Sequence, residues 1–346
     1  MSTAQAGFAR GRRQEVPASS ADWVRPAAGG GPPLEVHPSA DVNLEAWALA
    51  HSGQVSSWLA RHGAVLFTGF GIGLDEFPRV AAALAGPAVE YRERSSPRTQ
   101  LAPGVYTSTD HPADQPIALH NENSYQCSFP ARLVFCCLEP AERGGATPLA
   151  DCRRVLARID PAVVAAFRRR GVRYVRNYGR GVGLSWQEAF QETSPARVTE
   201  YCRARSIAPE WRLPGELRTV QVRPATAVHP VTRQEVWFNH AAFFHVSSLE
   251  PGLAAALLEQ FGEAGLPANT YYGDGGRIEP ETLAGIRAAY ASETVAVPWR
   301  RGDILLIDNL LVAHGREPFT GRRRVIVSMA GTVDRADLPT HDGAAR

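Results

Sequence analysis

Apolar residues recur at helical spacing from Leu44 to Arg61, where Leu44, Trp47, Leu49, Val55, Trp58 and Leu59 form one stripe. Gly63 closes the stripe, the run Ala64 to Phe70 predicts a strand, and Asp75 to Ala85 predicts a second helix. From about Gly104 the texture changes to short β-type runs over Val105 to Thr109, Ile117 to Asn123, Leu133 to Leu138 and Ala146 to Ala150. A helical block then interrupts the strands. Asp160-Pro161 reads as an N-cap with proline at the first helical position, opening a helix through Arg170 that stops at Gly171. Ser185 with Glu188 fits a capping box, and Ser194-Pro195 opens another helix through Arg203. Strand texture returns at Thr219 to Val231, Glu235 to Phe244 and Thr294 to Thr332, with helices starting near Glu250-Pro251 and Glu279-Pro280 between them.

Helices around and between many short strands, without regular β–α alternation, argue against a Rossmann sheet. Gly69, Gly71 and Gly73 do lie between a strand and a helix, but the last glycine of a dinucleotide fingerprint would fall on Leu74 or Glu76. The pattern predicts an α+β, mainly β protein: a β-sandwich or jelly roll with flanking helices and a helical insertion near 153–217 as a lid. The Gly29–Pro33 stretch, with no apolar run before it, predicts a flexible tail over 1–35, then one domain over 36–335 and a second tail over 336–346.

Composition narrows the chemistry. All 37 basic residues are arginine. Without lysine there is no Schiff base to pyridoxal phosphate or to a carbonyl substrate, no P-loop lysine and no protein-kinase lysine. Arginine for lysine, with abundant Ala, Gly and Pro, fits a bacterial, GC-rich source. A net charge of +2 gives no reason to expect nucleic acid, and no apolar run approaches the ~20 residues of a membrane span. The five cysteines are odd in number and lack C-x-x-C spacing, which predicts reduced thiols and a cytoplasmic protein.

The central chemical signal is His120-Asn121-Glu122 within the expected strand 117–123. Residues i and i+2 of a strand share a face, so an imidazole and a carboxylate can reach one point, two parts of a 2-His-1-carboxylate iron site. The third ligand must come from His229, His240, His245 or His314, and only His314 has a strongly featured context. There the turn at Gly302-Asp303 feeds an apolar strand that Asp308-Asn309 breaks just before Ala313-His314-Gly315-Arg316. Thr147, in Gly144-Gly145-Ala146-Thr147, and Arg324, in Arg322-Arg323-Arg324, add a hydroxyl and a guanidinium able to fork a carboxylate.

With these residues together the chain resembles the TauD/TfdA-like Fe(II)/2-oxoglutarate dioxygenases, in particular the SyrP-like and clavaminate-synthase-like branches, whose carboxylate ligand is glutamate. The stretches TSTDHPADQPIALHNENSY, GGATPLAD, VWFNHAAFFH, YYGDG and GDILLIDNLLVAHGREPFTGRRRVIVSM carry the resemblance over about residues 60 to 332. It implies a double-stranded β-helix core, with Fe(II) held by His120, Glu122 and His314. It also implies 2-oxoglutarate chelating the metal, salt-bridged to Arg324 and assisted by Thr147, and O2 as co-substrate. The family arginine stands farther from the distal histidine than the nine residues here, and Arg322 and Arg323 lie closer still. Strand alternation puts Arg324, Ile326 and Ser328 on one face and Arg323 on the other; the spacing favours Arg324.

The reaction implied is hydroxylation of an unactivated C–H, coupled to conversion of 2-oxoglutarate to succinate and CO2. Desaturation, epoxidation and cyclisation use the same iron, whereas halogenation is disfavoured because Glu122 fills the position chloride would need. The resemblance further implies a small-molecule substrate from secondary metabolism, an amino acid or a unit derived from one, free or tethered to a carrier protein. Asn123, Asn239 and His240 are candidates to line its pocket. Two readings of other classes stand beside this one: a zinc or manganese jelly-roll hydrolase or isomerase, and a binding module without catalysis. Zinc chemistry has no use for Thr147 and Arg324, and a binding module has no need of an intact triad.

Overall fold

Along Ser128–Glu139, Ile304–Asp308 and Arg324–Asp334 both faces of each strand are apolar, so this layer must be covered on both sides. The computed structural model, which describes residues 24–25, 31–39, 41–89, 93–95, 98–108, 111–213 and 215–340, shows how. These strands form the centre of an eight-stranded sheet in the order Val24–Arg25, Leu34–Val36, Ala64–Phe67, Ile304–Asp308, Ser128–Glu139, Arg324–Asp334, Val105–Thr107, Gln100–Ala102. On one face Val134, Cys136, Ile304, Leu306 and Ile326 pack beneath helices Leu44–Ala50, Ser52–His62 and Phe77–Ala85. On the other, Leu133, Phe135, Leu305, Ile307, Val325 and Val327 join Leu149, Ala150, Val312 and Ala313 of a second sheet in one core. That second sheet has the order Val295–Val297, Thr147–Asp151, Val312–Arg316, Ile117–His120. Two facing, mostly antiparallel sheets make the expected jelly roll, although helix is as abundant as strand among the described residues.

Several expected boundaries move. Residues 34 and 35, expected in the tail, are part of a sheet: Leu34 is buried, and Leu34–Val36 pairs in parallel with Ala64–Phe67. Residues 1–23 and 26–30 lie outside the described residues, as do 341–346 of the expected C-terminal tail, but Leu338 is buried against the main core. The single helix expected over Leu44 to Arg61 is two, separated at His51. The caps at Asp160, Ser185 and Ser194 form as read, each side chain accepting a backbone N–H.

The insertion is not purely helical. Its helices Cys152–Arg158, Pro161–Arg170, Trp186–Phe190 and Pro195–Ala204 are interleaved with strands Val172–Tyr178 and Ala208–Trp211. These strands build a third sheet with Leu217–Arg223 and Ala268–Tyr272, in the order Ala208–Trp211, Leu217–Arg223, Val172–Tyr178, Ala268–Tyr272. Tyr178, Trp186, Phe190, Val198, Cys202 and Leu217 form a satellite core there. All five cysteines are free, and no helix among the described residues is long and apolar enough to cross a membrane.

Candidate metal centre

Strand register brings the two histidines together. Ile117–His120 runs antiparallel to Val312–Arg316, with His120 directly opposite His314, and their ring centroids are 4.6 Å apart. Glu122 arrives differently. The strand ends at His120, and Asn121–Ser124 form a turn rather than the strand continuation expected from the sequence. Asn123 takes a left-handed backbone (φ 55°), which asparagine tolerates, and the turn returns Glu122 toward the histidines. One ligand atom from each of His120, Glu122 and His314 lies within 4.8 Å of the others. Glu122 and His314 are buried.

The chemistry of this set suits a divalent cation. His120 Nδ1 lies 2.9 Å from the Ala118 carbonyl, an arrangement in which Nδ1 donates and the Nε2 lone pair stays available. Burial pushes the His120 and His314 imidazoles below their ordinary range, at His120 against the opposing pull of Glu122, so both rings are neutral near neutral pH. No hydrogen-bond partner claims the buried His314 Nδ1. The rejected third ligands are otherwise engaged: His229 pairs with Asp308 at 3.0 Å, and His245 with Ser247 at 2.8 Å.

Beside the triad a narrow cleft between the sheets is lined by Thr147, Ser108, Arg98, Arg316 and Arg323 together with both histidines. Here the structure corrects the expected arginine. Arg324 is exposed and lines no part of the cleft, whereas Arg323 enters it and donates to the Gly145 carbonyl at 2.9 Å. The alternation was right and the face was not: Arg323 shares its parity with Val325 and Val327, which point into the core between the sheets. Burial, with Arg316 nearby, pushes the Arg323 guanidinium down to about 10. Thr147 sits where expected, its hydroxyl accepting from Trp299 Nε1 at 2.9 Å.

On the other side of His120 and Glu122 opens a cavity of about 830 Å³, walled by Phe243, Phe244, Leu249 and Leu253 and by Gln115–Ala118. Its wall therefore comes from residues 95–122 and from the region after Asn239, and no residue of 153–217 contributes to it among the described residues. The substrate candidates fare unevenly. Asn123 faces a different pocket, with Gln126 and Arg205. Asn239 spends its amide on the Ala225 carbonyl (2.7 Å) and the Ala241 N–H (2.8 Å) and borders a separate cleft. His240 is buried beside the candidate triad, 5.9 Å from His120 by ring centroid, and held by Ser124 Oγ at 2.5 Å. Thr109, the expected end of the strand from Val105, lies outside the described residues.

Sequence reasoning missed Arg98, Arg316 and Asn309. Arg98 Nη2 meets Glu122 Oε2 at 2.6 Å, and both side chains are buried. It lies in an irregular segment with no local signal. Arg316 follows His314 by two on one strand, so parity alone placed it at the cleft; it donates to the His111 and Gln115 carbonyls at 3.0 and 2.8 Å.

Comparison with known proteins identifies the family. The Taurine catabolism dioxygenase TauD, TfdA family matches residues 25–330. The dapdiamide synthesis protein DdaC of Enterobacter agglomerans is 42% identical over 313 residues, covering 90% of this chain and 94% of that protein. A clavaminate synthase-like protein of Arabidopsis thaliana is 30% identical over 312 residues, covering 84% and 91%. Among solved structures, PvcB of Pseudomonas aeruginosa shares the fold with a TM-score of 0.53 at 17% identity, over 95% of this chain and all of that one. The chain belongs to the TauD/TfdA family and is an Fe(II)- and 2-oxoglutarate-dependent dioxygenase.

Proposed function

We propose that His120, Glu122 and His314 hold the Fe(II), and that the enzyme hydroxylates an unactivated C–H of an amino acid or amino-acid-derived small molecule in secondary metabolism. The observation that carries this is the direct cross-strand pairing of His120 with His314, with the Glu122 carboxylate returned to the same point. Held by these three side chains, the iron with 2-oxoglutarate and O2 would supply the oxidising power, while the protein supplies the position. Membership of a dioxygenase family removes the zinc hydrolase and the binding-module readings.

Each surrounding residue has a definable task. Arg323 and Thr147 receive the distal carboxylate of 2-oxoglutarate, the guanidinium offering two parallel donors and the hydroxyl a third. Arg316 adds positive charge and fixes the 111–115 backbone at the junction of cleft and cavity. Arg98 holds one Glu122 oxygen at 2.6 Å, which orients the carboxylate. Phe243, whose ring centroid is 4.7 Å from that of His120, forms an apolar wall that keeps water from the reacting C–H. The 830 Å³ cavity has room for a drug-sized molecule or the end of a longer one. A substrate tethered to a carrier protein fits such a half-open mouth, and the relative named for dapdiamide synthesis supports a biosynthetic role.

The test is succinate formation. Fe(II)-loaded protein is expected to convert 2-oxoglutarate to succinate, and Glu122→Ala to abolish it; unchanged turnover in that variant, or turnover with zinc alone, would sink the ligand assignment. A screen of free and carrier-bound amino acids, read by succinate release above the substrate-free rate, identifies the substrate class.

A further inference from the structure

We propose that Asn309 is the positioning residue that sets Glu122 relative to His314, and so fixes the shape of the metal site; this rests on the reading that His120, Glu122 and His314 hold the metal. Asn309 is fully buried. Its Oδ1 accepts the Glu122 backbone N–H at 2.8 Å, and its Nδ2 donates to the Glu122 carbonyl at 2.9 Å and to the Pro130 carbonyl at 2.8 Å. One side chain thus grips both backbone polar groups of the ligand residue. The amide orientation is forced, because an N–H must meet an acceptor and two carbonyls must meet donors.

The grip is reinforced from both ends. Asn121 Nδ2 donates to the Asn309 carbonyl at 2.7 Å, and the Asn309 N–H donates to the Ala131 carbonyl at 3.0 Å. Asn309 also lies five residues before His314, between strands Ile304–Asp308 and Val312–Arg316. The turn carrying Glu122 is therefore bolted to the segment that delivers His314. That turn needs a bolt: it runs through the left-handed Asn123, and nothing in strand pairing holds Glu122 in place. Outer-shell groups of this kind hold ligands in register, and their loss typically weakens metal affinity by about 10- to 100-fold.

Mn(II) is the probe, titrated by electron paramagnetic resonance into the full chain with neither 2-oxoglutarate nor substrate. Asn309→Ala is expected to weaken Mn(II) binding by at least about tenfold. Asn309→Asp, nearly isosteric, keeps an acceptor for the Glu122 N–H but turns a carboxylate toward two carbonyls, and is expected to weaken binding in the same direction. Val198→Ala, in the satellite core, lowers thermal stability without touching the site and is expected to bind Mn(II) as the wild type does. If folded Asn309 variants lose stability yet bind Mn(II) within about twofold of wild type, Asn309 is a packing residue and the proposal fails. Should Asn309→Ala not fold, Asn309→Asp decides by the same criterion. Glu122→Ala separates the two readings: if it too binds Mn(II) normally, the ligand assignment itself is wrong, whereas if it alone loses binding, only the role of Asn309 is overturned.

Discussion

Arg323 and Arg324 are neighbours with opposite fates, and the difference is measurable. A buried guanidinium that donates to a carboxylate contributes a charge-assisted pair, and truncating one partner of such a pair costs about 2 kcal/mol or more. Arg323→Gln is therefore expected to raise the 2-oxoglutarate concentration for half-maximal succinate formation by about 30-fold or more. Arg324, exposed at the end of its strand, is expected to tolerate the same change within about twofold. The reverse ranking in a 2-oxoglutarate titration would return the cofactor to Arg324. The sequence showed that the two arginines face opposite ways, because alternation is local. It could not show which way is inward, because Ile326 and Ala330 are as deeply buried as Val325 and Val327, one pair under helices and the other between sheets. His120, Glu122, His314 and Thr147 were legible as residue types at telling spacings. Arg98 and Asn309 were not, since their roles arise from contacts across 24 and 187 positions of chain.

Among the elements, those whose signals are local were read correctly. N-caps at Asp160, Ser185 and Ser194 announce themselves within four residues. The extension of the His120 strand to Asn123 was a misreading of the same kind of signal: alternation continued in the sequence while the backbone had already turned. The turn at Gly302 is a place where sequence and structure agree and the agreement is testable. Gly302 takes φ +83°, and a Cβ there would stand 2.7 Å from the Gly71 Cα and 3.0 Å from the Gly71 carbonyl carbon. Backbone cannot swing aside as a side chain would. Gly302→Ala is expected to cost more than the ~1–2 kcal/mol of the left-handed conformation alone. Thermal denaturation checks this, and a loss below about 1 kcal/mol would show that the turn relaxes freely.

At the scale of the whole molecule, the third sheet and its satellite core must be joined to the jelly roll that carries the metal site, and Glu93 stands at that joint. Its carbonyl accepts from Tyr125 Oη at 2.6 Å and Gln126 Nε2 at 3.1 Å, just beyond the Glu122 turn. Its carboxyl reaches Gln221 Nε2 of the third sheet at 3.2 Å and Tyr201 Oη of the helix Pro195–Ala204 at 3.4 Å. Burial pushes the Glu93 carboxyl above its ordinary value of 4.5, against the opposing pull of Arg176, Gln221, Arg223 and Tyr201. A carboxyl raised in the folded state keeps its proton where the unfolded chain has already released one. Its contribution to stability is complete below 4.5 and is lost as pH rises through the folded value. Glu93→Gln retains an acceptor for Gln221 and cannot ionise, so it escapes that loss. Melting temperatures from about pH 4 to about pH 8 are expected to converge for variant and wild type at the acid end, and to favour the variant increasingly toward neutrality. A variant less stable than wild type at neutral pH would mean that the folded protein holds Glu93 as an anion paired with Arg176. The joint would then be an ion pair, stabilising above the carboxylate range and released by acid.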